Sequence, residues 1–373
     1  MIEPDAMDSS LLLLFDLLKS SLRGTKPDEK LFVGLDETAW NGVFKQASKQ
    51  GVAAVAFDGV MLLPSALQPP RKLKIAWGVK VDLVENNFTT RQTIAEELTE
   101  LFEKNNIRVL IFKGLSLAQY YQVPSHREFG DLDIYLYGQK KKGDQLLRQW
   151  GAQEDKKQYS DKHSTFSYKV VSVENHAYFL DIRISKSLKE LNARLKTMAE
   201  AELKNAPDGK LLFPSPDFTA LLFMTHAISN FIEDVPVWRH FYDWAAFLHA
   251  NKGKWDMSRY CEALSEAGLQ EIAGVFTSIA VDYLELPLDE APPFERNNAL
   301  EEKILTTMFH PRPPLPEKDR HSFLKIIVYK YLCFTDMRGR CNLIYSGAFR
   351  KMILNAVLYH IRYPEVTWKL NEE

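Results

Sequence analysis

Residues 127–138 read REFGDLDIYLYG. From Asp131 to Tyr137 the run has the two-residue period of a half-buried β-strand, yet its head carries two carboxylates, Asp131 and Asp133, one residue apart. Successive strand residues point to opposite faces, so both acids project to one side while Leu132 and Ile134 turn toward a core. Two anions held that close repel each other, and the pair is tolerable only at a solvated edge or with a cation between them. Mg²⁺ binds through oxygen, usually one or two carboxylates plus substrate phosphates, and suits such a pair. Taken alone, an Asp-x-Asp at a strand end is usually a solvated cap.

The sequence on either side adds context. Upstream, IRVLIF (107–112) is β-branched and continuous, and it ends at Lys113 and Gly114, where a lysine can reach phosphate oxygens and a glycine permits close backbone approach. LSLAQYY (115–121) reads as a short helix, and a polar helix is expected near 140–150. TFSYKVV (165–171) and YFLDIRI (178–184) then alternate as two antiparallel strands would. The second contains Asp181, an acid that would be costly in an apolar strand unless partnered. If its strand lies beside the first, three acids converge and can hold two metal ions; the alternative is an ion pair with Arg183. Residues 106–186 thus read as a small α/β sheet domain.

Around it the periodicity is helical. Leu11, Leu14, Phe15 and Leu18, then Trp40, Val43, Phe44 and Ala47, recur at three- and four-residue spacing, and a long helix is expected over about 72–104 after the loop PSALQPP (64–70). Helical spacing returns beyond 187, with a last pair of helices near 320–336 and 343–360 after PRPPLP (311–316). The expected division is a helical region 1–105, the sheet domain, and a helical region 187–373. With 373 residues, 46% of them hydrophobic, the chain can bury a large core; its 47 Lys and Arg against 49 Asp and Glu give no bulk charge for nucleic acid or anionic membrane. Three cysteines form no disulfide or zinc pattern, and neither a signal peptide nor a membrane span is expected, which predicts a cytoplasmic protein. His226 sits on an apolar helix and reads as a core histidine; His126, His163 and His176 lack i, i+4 or zinc-like pairing and read as loop or strand residues.

The run FKGLSLAQYYQVPSHREFGDLDIYL (112–136) resembles the uncharacterised nucleotidyltransferases of the polymerase-beta-like superfamily, in which a strand, a Lys-Gly turn, a short helix and an Arg-containing loop lead into Gly-Asp-x-Asp. RHFYDWAAFL (239–248) is similar to the family's C-terminal pattern. Most of that superfamily has Gly-Ser or Gly-Gly at the turn, where this chain has Lys113 and Gly114 with Ser116 two residues on. The resemblance implies an α+β fold, a small mixed β-sheet core with helical N- and C-terminal regions. It makes Asp131 and Asp133 the metal-binding pair and Asp181 the third catalytic carboxylate, with Lys113, Gly114, Ser116, Arg127 and Gly130 at the nucleotide. The implied activity is transfer of a nucleotidyl group from an NTP, with Mg²⁺ or Mn²⁺, to an unknown acceptor, a small molecule or protein before a long nucleic acid, releasing pyrophosphate. A non-catalytic nucleotide sensor or antitoxin-like interaction module on the same fold is the alternative, and its mark would be loss of an acid. A sugar-nucleotide glycosyltransferase would want a longer α/β domain ahead of the motif than these helical first 105 residues. Replacing Asp133 by Asn is expected to relieve repulsion and raise the metal-free melting temperature.

Overall fold

A computed structural model describes residues 9–155, 162–183, 185–204, 210–233, 237–309, 312–313, 315–320 and 322–344, with 353, 354, 357 and 361. The N-terminal periodicities become α1 (Ser9–Arg23), α2 (Glu37–Lys49), α3 (Ala53–Leu62) and the 33-residue α4 (Arg71–Glu103). Asp36 caps α2 by accepting from the Ala39 N–H at 2.8 Å. Helices α1 and α3 cross so closely that a Cβ on Gly59 would stand 2.3 Å from the Leu17 carbonyl oxygen, so only glycine fits there.

Among the described residues five strands form one mixed sheet: β1 (Leu110–Phe112), β2 (Asp131–Tyr135), β3 (Gln153–Glu154), β4 (His163–Tyr168) and β5 (Val171–His176), in the order β1-β2-β5-β4-β3. The β2–β5 pair is parallel and the other three pairs are antiparallel. The short α5 (Gly114–Ala118) joins β1 to β2, and α6 (Lys140–Gln149) follows β2. The α+β architecture expected from the sequence is the one observed.

One strand assignment is overturned. The hairpin runs 163–168 and 171–176, turning at Lys169 and Val170, so TFSYKVV spans a turn and residues 178–183 lie beyond the sheet. Phe179 and Leu180 are adjacent yet both buried, and their N–H groups donate to Asn192 Oδ1 at 2.9 and 3.2 Å instead of to a neighbouring strand. That side-chain acceptor satisfies the backbone where a ladder would have done so.

The two faces of the sheet have different neighbours. Ile111, Leu132, Ile134, Phe166 and Val173 pack against the last turns of α4 and Leu146 and Leu147 of α6. The opposite face, with Phe112 and Tyr135, meets the helical body. That body contains α7 (Lys186–Leu203), α8 (Pro216–Glu233), α9 (Trp238–Ala250), α10 (Met257–Ala267), α11 (Gln270–Leu284) and α12 (Asn298–Phe309), and its apolar core is continuous with α1, α2 and α3. Helices from both ends of the chain therefore share one core. Of the final expected pair, the first corresponds to α13 (Phe323–Ile344), while 343–360 lies almost wholly outside the described residues. No described helix is long and apolar enough to cross a membrane.

Candidate active site

The face of β2 that carries Asp131 and Asp133 looks toward α8 and α9 across a cleft of about 680 Å³, its open mouth included. Strand register adds the third acid: Asp133 stands opposite Glu174 of the parallel strand β5. Ligand oxygens of Asp131, Asp133 and Glu174 all lie within 4.8 Å of one another. Asp181 does not join them. It follows the end of β5, accepts from the Arg183 backbone N–H at 3.0 Å, and pairs with the Arg183 guanidinium at 2.8 Å, which with the burial-opposed pull of that cation keeps its carboxyl below the usual range.

The three acids have unequal surroundings. Asp133 is 1% exposed, and its Oδ1 accepts from Lys113 Nζ at 2.5 Å and lies 2.8 Å from His176 Nε2. Burial opposes its ionisation, but Lys113 and His176 outweigh burial and hold its pKa well below normal. Its Oδ2 is buried with no hydrogen-bond partner among the described residues. Asp131 behaves oppositely: repulsion from Asp133, then burial, push it up to about 6 against the opposing pull of Lys113. Like charges in register on neighbouring strands destabilise a sheet, and this site keeps such a pair in Asp133 and Glu174, with Asp131 beside them. An unpartnered buried carboxylate oxygen beside a proton-retaining aspartate is what a hard divalent cation would satisfy, so the donor set fits Mg²⁺ or Mn²⁺.

Seven of the eight residues assigned by sequence to this site line the cleft: Lys113, Gly114, Ser116, Arg127, Gly130, Asp131 and Asp133. Lys113 holds a φ of 55°, a left-handed backbone that a lysine adopts at a cost, and it directs the ammonium onto Asp133. Gly114 is required by close approach, since a Cβ would meet the Phe129 ring at 2.6 Å. Ser116 Oγ donates back to the Lys113 carbonyl at 3.0 Å.

Arg127 lines the cleft with its guanidinium already engaged by the protein. It is buried, donates through Nε and Nη2 to both carboxylate oxygens of Asp243 at 2.7 and 2.9 Å, and through Nη1 to the Gly114 carbonyl at 2.9 Å. Tyr121 donates to the same Asp243 at 2.6 Å. The forked pair thus ties the turn at Gly114 to α9. The rest of the loop is held in the same way. His126 bridges Asp58 of α3 and Glu85 of α4 at 2.8 and 3.0 Å, Arg239 of α9 donates to the Glu128 carbonyl at 2.7 Å, and Arg91 of α4 donates to the Gly130 carbonyl at 3.0 and 3.1 Å.

Opposite the carboxylates, the cleft wall comes from α8 and α9. His226 lines it, and burial, followed by Lys113 and Lys162, holds that imidazole well below its ordinary pKa. Arg239 lines it as well, with Nε buried and unpartnered among the described residues. Sequence reasoning missed Glu174, Arg239 and Asp243. For Glu174 a signal existed, the alternation of VSVENH (171–176) that puts Val171 and Val173 on one face and Ser172 and Glu174 on the other.

A mixed sheet that presents three carboxylates to a cationic cleft is suited to metal-assisted chemistry at phosphate. A family model described as uncharacterised nucleotidyltransferase matches residues 36–285, about two-thirds of the chain, and the protein belongs to that family. Comparison with curated proteins and with solved structures finds no match. The matched span contains every residue of the loop clamp, from Asp58 to Asp243.

Proposed function

We propose that this protein transfers a nucleotidyl group from an NTP to an acceptor hydroxyl and releases pyrophosphate, using divalent metal held by Asp131, Asp133 and Glu174. The observation that carries this reading is the clustering of those three carboxylates beside the cleft, Asp133 and Glu174 in strand register, with Asp133 Oδ2 buried and unpartnered among the described residues. Bound Mg²⁺ would supply charge neutralisation at the α-phosphate and lower the pKa of an attacking hydroxyl. Glu174 takes the place first given to Asp181. Lys113 binds triphosphate oxygens, exchanging its contact with Asp133 for them, and Arg239 offers its unpartnered Nε to the same group. Gly114, Ser116 and Gly130 shape the turn and loop that border the nucleotide, and Arg127 serves it by fixing that turn. The neutral imidazole of His226 faces the cleft as a hydrogen-bonding group without charge.

The competing reading, a nucleotide sensor, draws on the Lys113 to Asp133 contact, in which a cation of the chain already neutralises one acid. Incubation of the full chain with each labelled NTP, Mg²⁺ or Mn²⁺ and a fractionated cell extract separates the two. The enzyme reading expects pyrophosphate release by wild type and a loss of orders of magnitude in Glu174→Gln, each 1.36 kcal/mol of lost transition-state stabilisation being about tenfold. Equal rates in the two proteins would sink the mechanism. Nucleotide binding without release in wild type, across all acceptor fractions, would establish the sensor.

A further inference from the structure

Behind the carboxylate cluster the same sheet face continues into a second group of ligating side chains. His163 of β4 and His176 of β5 are register partners across the hairpin, and Glu174 precedes His176 by two residues, so all three share a face. One ligand atom from each lies within 4.8 Å of the others. Glu174 Oε2 is 3.1 Å from His176 Nε2, and Glu174 Oε1 is 3.5 Å from His163 Nε2. For metal–ligand bonds of about 2.0–2.1 Å, tetrahedral neighbours stand roughly 3.3 Å apart, and these two separations bracket that value.

The surroundings favour a metal over a simple polar contact. His176 Nδ1 faces the Tyr178 carbonyl oxygen at 3.2 Å, and its Nε2 faces Glu174 and Asp133 oxygens at 3.1 and 2.8 Å. Two carboxylate oxygens converging on one ring nitrogen call for a proton or a metal ion between them. A backbone carbonyl holding the far ring nitrogen is also the arrangement that orients metal-binding histidines. His163 Nδ1 is buried with no hydrogen-bond partner among the described residues, its Nε2 faces Glu174, and its ring lies against that of His176 at 4.9 Å.

We infer that His163, Glu174 and His176 form a second metal site, for a zinc-class ion instead of Mg²⁺. Two imidazoles and a carboxylate suit Zn²⁺, Co²⁺ or Mn²⁺ and leave a fourth position open, whereas Mg²⁺ prefers oxygen throughout. Glu174 would then stand between two cations, one on each side. The site shares Glu174 with the proposed transfer centre, but its test reads metal and not turnover, so failure of either proposal leaves the other standing.

The experiment is a Co²⁺ titration of the full chain after removal of metal with chelator, followed by visible absorption and then by competition with Zn²⁺ and Mg²⁺. Wild type should take up Co²⁺ with the intense absorption of a low-coordinate nitrogen and oxygen site, which Zn²⁺ abolishes and excess Mg²⁺ does not. Asp131→Asn should keep that signal. His163→Ala, or His163→Asn if alanine disturbs folding as judged by far-UV circular dichroism, should bind at least about 100-fold more weakly. The inference is overturned if wild type gives only the weak absorption of hydrated Co²⁺, if Mg²⁺ competes equally, or if a folded His163 variant binds as wild type does.

Discussion

The two faces of β2 are built from the same five residues and obey opposite rules. Leu132 and Ile134 are 1% and 0% exposed and packed against α4 and α6 in an apolar cluster. On the other face Asp133 sits in register with Glu174 and Asp131 lies two residues along the same strand, so that one acid retains a proton to about pH 6 and another leaves an oxygen without a partner among the described residues. The first face contributes stability to the fold; the second consumes part of it to keep a cation-hungry cluster in place. A strand can carry both because its period of two separates them completely.

The comparison can be broken from the apolar side first. Ile134→Ala removes a fully buried side chain and should cost about 2–5 kcal/mol in urea unfolding, with Mg²⁺ making no difference to the loss. A loss below about 1 kcal/mol would mean that this face is not a packed core.

On the polar face the sign reverses. In the metal-free protein Asp131 ionises near 6, against about 3.9 in an unfolded chain, so its charge destabilises the fold increasingly between those values and fully above them. Asp131→Asn should therefore stabilise metal-free protein at pH 8 by on the order of 2 kcal/mol, with the gain vanishing near pH 4, where wild type is protonated too. Thermal melts in chelator across that range check it; a variant less stable than wild type at pH 8 contradicts the repulsion. The structure also reverses the expectation for Asp133→Asn. Asp133 neutralises Lys113 and contacts His176, so its amide would leave a buried ammonium under-compensated and lower the melting temperature.

The smallest effect is expected off the sheet. Asp181→Asn exchanges one arm of a part-exposed pair with Arg183, a kind of contact worth about 0–1 kcal/mol, and should leave nucleotidyl transfer within about twofold of wild type. A loss as deep as that of Glu174→Gln would restore Asp181 to the site and sharpen the comparison at Glu174's expense.

What could be read from the sequence follows from how local each signal is. The motif strand, the Lys-Gly turn and the long α4 announce themselves within a few residues, through period two, a breaker or period 3.6. The hairpin was misplaced because its turn is Lys169 and Val170, with Lys169 at a φ of 53°, and no Gly, Asn or Asp marks it. That slip hid Glu174 and promoted Asp181. The histidines were tested against helical spacing, although on strands the relevant spacings are two residues along one strand and direct register across a pair, as for Glu174, His176 and His163. Arg127 was legible as an important cation but not as a clamp, because its partner Asp243 lies 116 residues away.

The clamp on residues 126–130 has a consequence for anyone wishing to transplant this sheet and its carboxylates. An excised piece spanning 106–186 would carry all three clustered carboxylates and every strand described, and by motif would look self-sufficient. It would lack Asp58, Glu85, Arg91, Arg239 and Asp243, the groups that grip the loop from three helices outside it. Freed of them, the loop would keep only the bond of Arg127 to the Gly114 carbonyl and would no longer fix where β2 begins. Modular borrowing of this centre therefore has to take the helices along, from α3 through α9, as a single heritable part.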